Sequence, residues 1–299
     1  MIIQTDNLHK QYRRHDALRG LNLSVPEGSA YALIGPNGAG KTTTIKLLMN
    51  IIAPSEGAAT ILGVDSRAMS PKQLAQIGYV SENQRIPGYM SVASYIDYLR
   101  PFYPTWDTKL EAEILAQLRL PPDRKIKHLS HGMRMKMALA CALPFRPKLL
   151  ILDEPFSGMD PLARDEFIEG LLQLAGEMTI FVSSHELSEI ESFATDVGFL
   201  DDGKMLFQES LDTLNARLRS VRVVLDREAA VPRSVPESWL DLRAAGNVLS
   251  FVDTQYAEES LNARVAALLS GVLRIEVEPV ALRSMFTTLA RATRDGRKA

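Results

Sequence analysis

The chain has 299 residues, and at roughly 100–200 residues per domain this length predicts about two domains. Apolar residues make up 46% and charged residues 23%, which is typical of folded globular chains and excludes a low-complexity or disordered protein. The formal charge is −2, so no overall charge attracts a nucleic acid. The sequence has no apolar run of membrane-spanning length and one cysteine, Cys141, which predicts a protein of a reducing, cytoplasmic compartment.

Up to about residue 215, short apolar runs alternate with helical patterns, as in a sheet with crossover helices. Because these runs are continuous rather than alternating, they predict strands that are buried on both faces. The runs are residues 31–34, 77–80, 149–152, 179–182 and 197–200. Residues 91–99 and 109–115 have helical spacing with prolines around them, which predicts a helical insertion at about residues 86–130.

The pattern changes after about residue 220. Residues 221–225 and 273–277 predict strands, and the second alternates apolar and polar residues as a one-sided sheet does. A proline-containing stretch lies between them, and a helix is predicted from about residue 280 to 293. We therefore expect a first domain of residues 1–215 and a small C-terminal α+β domain of residues 216–299.

A glycine-rich segment follows the first predicted strand of the core. Its residues, Gly35-Pro36-Asn37-Gly38-Ala39-Gly40-Lys41-Thr42, match G-x-x-x-x-G-K-[ST] between a strand and a helix. The glycines let backbone N–H groups turn inward, and the next helix adds its positive end. Lys41 is placed to reach the terminal phosphates and Thr42 to bind Mg²⁺. The segment predicts a nucleoside triphosphate site, which kinases, GTPases and motor ATPases share.

Two adjacent acids, Asp153 and Glu154, end the apolar run 149–152. A strand that is buried on both faces favours such a pair only where a cation or a reacting water meets it. Asp153 fits the Mg²⁺ partner of a nucleotide fold, and Glu154 fits the base that takes a proton from the attacking water. The alternative is an ordinary acidic cap, because Pro155 follows.

Further motifs resemble those of the ABC (ATP-binding cassette) ATPases. Residues 129–133, Leu-Ser-His-Gly-Met, resemble the signature motif, and residues 157–160 resemble the D-loop. Residues 183–185, Ser-Ser-His, resemble the switch histidine, and Tyr12 sits where an aromatic residue stacks on adenine. The resemblance runs from residue 1 to about 215. It implies an α/β fold, namely a P-loop NTPase cassette with a mixed sheet core and a helical subdomain.

Two positions depart from the family pattern. Glu82 stands where the family has glutamine, and Gln84 follows two residues later, so either is a candidate for the residue that senses the nucleotide. Glu82 can still bind metal or water through oxygen, but it donates no amide hydrogen bond. Met133 replaces the usual glutamine of the signature, whereas Ser130 and Gly132, which contact phosphate in the family, are both present.

The resemblance implies ATP and Mg²⁺ as cofactors and a role for each matching residue. The catalytic residues are Glu154, His185 and Lys41, and the Mg²⁺ ligands are Thr42, Asp153 and Glu82. The nucleotide-binding residues are Tyr12, Gly35, Asn37, Gly38, Ala39, Gly40, Lys41, Thr42, Thr43, Ser130, Gly132 and Asp160. Plainer interpretations exist for three of these catalytic and binding residues: Tyr12 as a surface or core aromatic, His185 as a loop histidine, and Asp160 as the first residue of a turn.

In this family the signature contacts ATP that a second chain holds, so the resemblance implies a head-to-tail dimer of identical or related chains. A cassette without a spanning helix resembles the ATPase subunit of a transporter, peripheral on the inner face of the cell membrane, with a separate permease. The family receives the permease's coupling helix at the helical insertion. Residues 278–286 are similar to the closing helix of cassettes that serve bacterial exporters.

The alternative function is a non-transport ABC ATPase that acts on the ribosome or on nucleic acid. Such proteins usually carry two cassettes, a long coiled coil or a zinc module. This sequence shows one cassette, no cysteine pair and no basic excess, so we expect no nucleic-acid partner. A simple kinase is a more distant alternative, because it leaves the signature and His185 unexplained. The transported substrate and the direction of transport are not indicated by the sequence.

Overall fold

The structure is a computed structural model that describes residues 1–82, 84–176, 178–232 and 234–294. The strands are β1 (Ile3–Tyr12), β2 (His15–Leu21), β3 (Ser24–Val25), β4 (Ala30–Ile34), β5 (Glu56–Ile61), β6 (Val64–Asp65), β7 (Ile77–Ser81), β8 (Leu149–Asp153), β9 (Thr179–Ser184), β10 (Asp196–Asp201), β11 (Lys204–Ser210), β12 (Arg219–Leu225), β13 (Trp239–Ala245), β14 (Val248–Asp253) and β15 (Val272–Pro279). The α-helices are α1 (Lys41–Leu48), α2 (Pro71–Leu74), α3 (Val92–Leu99), α4 (Thr108–Gln117), α5 (His131–Ala142), α6 (Pro161–Ala175), α7 (Leu211–Arg217), α8 (Glu258–Leu268) and α9 (Leu282–Arg294). None of the helices in these ranges has the length and apolar character needed to cross a membrane.

The chain divides into two compact units, Met1–Gln208 and a second that begins at Glu209. The boundary lies seven residues before the one expected from the sequence, because α7 belongs to the second unit. Arg217, at the end of α7, donates hydrogen bonds to the carboxylate of Glu209 and to the carbonyl oxygen of Thr254. These contacts tie the helix to the second unit's own residues.

A six-stranded sheet in the order β11-β10-β4-β9-β8-β7 forms the centre of the first unit. Its strands from β10 to β7 are parallel, and β8 and β9 are buried along their whole length. The five apolar runs of the sequence lie in these strands, and the α/β P-loop fold class is confirmed. The carboxyl ends of parallel strands meet at one edge, which is where ligands bind in such sheets.

An antiparallel sheet, in the order β2-β1-β5-β6 with β3 paired to β1, covers the N-terminal part of the first unit. The sequence did not predict this sheet. Its residues share one apolar core with the central sheet, including Leu8 and Leu21 from the first and Leu33 and Phe181 from the second. The turn between β1 and β2 pairs Tyr12 with His15.

The helical insertion extends further along the chain than the predicted end at residue 130. Helix α5 packs against both α3 and α4, so the helical region continues to Ala142. The N-termini of α3, α4 and α5 are capped by the side chains of Ser91, Asp107 and Ser130, which accept hydrogen bonds from backbone N–H groups. Tyr103 stacks on Phe145 with ring centres 4.0 Å apart, which joins the insertion to the segment before β8.

The second unit is a four-stranded antiparallel sheet in the order β13-β14-β12-β15, with helices α7, α8 and α9. Where the sequence predicted only a proline-containing stretch, the structure has β13, β14 and α8. Trp239 stacks on Phe251 with ring centres 4.0 Å apart, and Leu261 and Val265 of α8 pack on the same face of the sheet. Residues 278–286 span the end of β15 and the first turns of α9.

Candidate nucleotide-binding site

The glycine-rich loop connects β4 to α1 at the carboxyl edge of the parallel strands. Gly40, immediately before α1, has φ 110°, a conformation that residues with a side chain rarely adopt. A Cβ atom on Gly35 would lie 2.1 Å from the carbonyl oxygen of Leu200, so only glycine fits there. Ala39 is buried beneath the loop. The loop therefore takes its shape from positions that exclude a larger residue.

The side chain of Lys41 is buried inside this loop. Its Nζ donates to the carbonyl oxygens of Gly35, at 2.7 Å, and Pro36, at 3.2 Å. The same atom lies 3.0 Å from Oε1 of Glu154, across the edge of the sheet. One ammonium group thus links the loop at the end of β4 to the acids at the end of β8.

Asp153 is the last residue of β8, and its carboxylate is buried. Oδ1 accepts hydrogen bonds from Thr42 Oγ1, at 3.0 Å, and Ser183 Oγ, at 2.9 Å. Burial raises the pKa of Asp153, and a cation beside it would favour the ionised form. A hydroxyl and a carboxylate are hard oxygen donors, so this pair fits Mg²⁺.

Glu154 has a left-handed backbone, with φ 51°, which is uncommon for a residue other than glycine. Its backbone N–H donates to Ser183 Oγ at 3.0 Å. Its Oε2 lies 2.7 Å from Nδ1 of His185, which follows β9. This hydrogen bond is the main reason why the pKa of His185 is raised. Neighbouring strand ends therefore place a carboxylate, an imidazole and a lysine ammonium in one connected group.

These groups open into a cavity of about 530 Å³. Its lining consists of Tyr12, His15, Ala17, Asn37, Gly38, Gly40, Lys41, Thr42, Thr43, Glu82, Glu154, Ser157 and His185. Most of the residues predicted to bind nucleotide thus surround one space. Glu82 lines this cavity, whereas Gln84 lines a separate one with Tyr79 and Tyr95.

Three lining residues were not among the predicted site residues. His15 and Ala17 belong to β2. His15 lies at the cavity because it pairs with Tyr12 in the β1–β2 hairpin, and no pattern in the sequence indicated this pairing. Ser157 was inside the D-loop resemblance but was not selected. A serine hydroxyl at this position can donate to an anion or accept from water.

Ser130, Gly132 and Asp160 do not line the cavity of their own chain. Ser130 Oγ accepts from the N–H of Met133 at 3.2 Å, and Asp160 Oδ1 accepts from the N–H of Ala163 at 3.0 Å. Both side chains therefore cap helices, α5 and α6 respectively. A Cβ on Gly132 would lie 3.1 Å from the Cβ of Ala163, so glycine lets the two helices approach closely.

Comparison with known proteins gives a consistent result. A sequence model of the ABC transporter family matches residues 18–157. The lantibiotic transport ATP-binding protein SrtF of Streptococcus pyogenes is 36% identical over 217 residues, which cover 71% of this chain and 92% of SrtF. The bacitracin transport ATP-binding protein BcrA of Bacillus licheniformis is 36% identical over 225 residues, which cover 73% of this chain and 72% of BcrA.

Solved structures agree with the sequence relatives. The structure of an ATP-binding subunit of an ABC transporter has a TM-score of 0.65 to this chain, with 27% sequence identity. The match covers 72% of this chain and 92% of that one. The chain therefore belongs to the ABC transporter family as an ATP-binding subunit, and it is an ATPase.

Proposed function

We propose that this chain binds MgATP, dimerises around it and drives a separate permease of an exporter-type system. The observation that carries the proposal is the convergence of Lys41, Glu154 and His185 on one cavity. Asp153 lies just behind the lining residue Thr42, which donates a hydrogen bond to its carboxylate. The names of SrtF and BcrA, which state transport of a lantibiotic and of bacitracin, support a transport function for this chain.

The residues of the cavity divide the chemistry of hydrolysis among them. Lys41 and the N–H groups of the loop hold the terminal phosphates by charge and hydrogen bonds. Thr42, Asp153 and Glu82 are the residues that would hold Mg²⁺, which would supply positive charge to the bound triphosphate. Glu154 accepts the proton of the attacking water, and His185 fixes its carboxylate and stabilises charge on the γ-phosphate.

Adenine is assigned to the mouth of the cavity, beside Tyr12. Tyr12 is 42% exposed, which leaves aromatic surface on which a base can stack. The ammonium of Lys10 lies 5.1 Å from the centre of this ring. An aromatic ring at the end of a hairpin suits a flat base and leaves the triphosphate free to reach Lys41.

The residues that stand outside the cavity support a dimer. Ser130 and Gly132 begin α5, a helix whose N-terminus favours anions, yet they do not line the cavity of their own chain. In the proposed dimer these residues and Asp160 contact the ATP held by a second chain. ATP then joins the two chains, because its γ-phosphate has ligands on both, and hydrolysis separates them.

The permease is assigned to the face around the helical insertion. Tyr98 and Phe102 are 58% and 61% exposed there, and Phe102 borders an apolar cavity of about 630 Å³ together with Pro71, Pro104 and Phe145. A large exposed apolar patch favours a protein partner. A helix from the permease would bury this surface and bring the chain to the inner face of the membrane.

The dimer is tested with Glu154→Gln, which keeps the shape of the side chain but removes the base. With Mg²⁺ and ATP we expect this variant to elute as a dimer and to hydrolyse ATP roughly 10²–10⁴-fold more slowly than the native chain. Glu191→Gln, an exposed acid outside the cavity, is the control and should change neither property. A monomeric Glu154→Gln chain, even with its permease present, contradicts the proposal.

The permease is tested by affinity purification from membranes of the source cells. We expect a membrane protein of several spans to co-purify with the native chain and to be lost with Phe102→Glu. Leu172→Glu is the matched control, because Leu172 is 48% exposed on α6, outside this patch. Hydrolysis that RNA or DNA stimulates, with no membrane partner, would favour the non-transport alternative.

A further inference from the structure

Strand β15 is an edge of the sheet in the second unit. Among the described residues it pairs with β12 alone, whereas α9 packs against β13 at the opposite edge. An uncovered edge strand presents backbone N–H and C=O groups that can pair with another strand. With eight residues, β15 is long for a strand that is left without a partner on one side.

The apolar face of the sheet continues out to this edge. Val277 lies beside Val221 and Ile275 beside Val223, and the two β12 residues are in the core. Yet Leu273, which a register shift leaves without an opposite residue on β12, is 67% exposed, and Val277 is 36% exposed. A core that ends in exposed apolar side chains on an unpaired strand favours a partner that continues the sheet.

We propose that β15 pairs antiparallel with β15 of a second copy of this chain, about a two-fold axis at Ile275. This register sets Leu273 opposite the partner's Val277, and Arg274 opposite the partner's Glu276. Because the interface is two-fold, each contact forms twice. The two sheets join into one of eight strands, and the exposed apolar side chains of the edge cover each other.

The charges of the strand select this partner and this register. Glu276 lies beside Arg222 of β12, with 3.7 Å between Nη1 and Oε2, and its Oε1 lies 3.2 Å from Nε of Arg274 on the same strand. In the proposed pairing Glu276 stands between Arg222 and the partner's Arg274, so charges alternate along the row. If the two-fold axis lay one residue further along β15, the two Glu276 side chains would face each other. If it lay one residue earlier, the two Arg274 side chains would face each other.

A single pair of strands buries less surface than the roughly 1,600 Å² of a standard protein interface. We therefore expect a reversible dimer that forms without nucleotide. When ATP joins the cassettes, the pairing becomes intramolecular and gains from a high effective concentration. The second unit would then keep two chains together between rounds of hydrolysis.

The register is tested by disulfide trapping in the full chain with Cys141→Ala as background. Leu273→Cys and Val277→Cys are made separately, oxidised alone and oxidised as an equimolar mixture, all without nucleotide. We expect the mixture to form a crosslinked dimer. Each variant alone should not, since identical residues stand about 14 Å apart, beyond the roughly 7 Å that a disulfide spans. Crosslinking of either variant alone, or none in the mixture, overturns the proposal.

The charges are tested by sedimentation equilibrium of the full chain without nucleotide, at micromolar to near-millimolar concentrations. Arg274→Glu places like charges opposite each other twice and should raise the dissociation constant about tenfold. Arg243→Glu makes the same charge change on β13, at the opposite edge of the sheet, and should leave the dissociation constant unaltered. Equal constants for Arg274→Glu and the native chain, equal weakening by both variants, or a native monomer throughout each overturn the proposal. Because ATP is absent, such a result leaves the nucleotide-driven dimer to its own test.

Discussion

Nζ of Lys41 lies 3.0 Å from Oε1 of Glu154, and both side chains are largely shielded from solvent, with 5% and 16% exposed. The cation that is proposed to hold the terminal phosphates is thus paired with the acid that is proposed to activate water. A triphosphate that enters the cavity must take Glu154's place beside Lys41. Binding therefore frees the carboxylate at the moment when its substrate arrives.

The Lys41–Glu154 pair leads to a prediction about affinity. Glu154→Gln removes the charge that competes for Lys41, so we expect it to bind ATP about 3–10-fold more tightly than the native chain. Isothermal titration calorimetry of dilute protein without Mg²⁺ measures this step separately from dimerisation. Glu191→Gln should bind as the native chain does. Weaker ATP binding by Glu154→Gln would show that the pair does not oppose the nucleotide.

The packing around Gly35 predicts a loss of stability. In Gly35→Ala the new Cβ would meet the carbonyl oxygen of Leu200 at 2.1 Å, so the loop must move or the strand must shift. We expect a loss of about 3 kcal/mol or more in the free energy of unfolding. Gly28→Ala is the control: unlike Gly35 it has a positive φ, but nothing lies within 4 Å, so a loss of about 1 kcal/mol from backbone strain alone is expected. Urea unfolding of both variants compares them, and equal losses would contradict the clash.

The raised pKa of His185 predicts a pH-dependent stability. The hydrogen bond to Glu154 stabilises protonated His185, so the pKa of His185 is higher in the folded chain than in the unfolded chain. This stabilisation of the folded chain is fully present at pH values below the unfolded pKa of about 6.5. It is lost as the pH rises through the folded value. The stability difference between the native chain and His185→Gln should therefore be larger at about pH 6 than at about pH 9. Thermal melting at both pH values measures it, and a difference that grows with pH would contradict the assignment.

Cys141 is predicted to be unreactive in the folded chain. Burial raises the pKa of its thiol to about 12, so very little thiolate exists near neutral pH. We expect maleimide to modify the native chain at least about 10³-fold more slowly than the urea-unfolded chain, which is the matched comparison. The sequence has one cysteine, so mass spectrometry reports this site directly. Rapid modification of the folded chain would show that α5 opens readily.

The sequence predicted the central part of the molecule well for physical reasons. Strands such as β8 are buried on both faces, so their residues form unbroken apolar runs that are visible in one dimension. The glycine-rich loop depends on local backbone geometry, and its glycines and Lys41 must lie close together in the sequence. The acids at the end of β8 were selected as candidates because carboxylates rarely follow a buried strand without a chemical reason.

Other features depend on contacts between distant segments. The sheet of β1, β2 and β5 was missed because its strands mix polar and apolar residues and share the core of other elements. His15 reaches the cavity only through its hairpin pairing with Tyr12. The domain boundary differs from the expected one because Arg217, at the end of α7, donates a hydrogen bond to the carbonyl oxygen of Thr254, 37 residues later. No local sequence pattern reveals such a contact.

The left-handed backbone at Glu154 has a consequence for evolution in the laboratory. An L-residue there costs on the order of 1–3 kcal/mol, which glycine would largely recover. Against this cost stand the pairs of Glu154 with Lys41 and His185, which glycine would remove. Selection for heat resistance in libraries of this chain would therefore weigh backbone strain against these two pairs, whereas selection for turnover would retain the glutamate in either case.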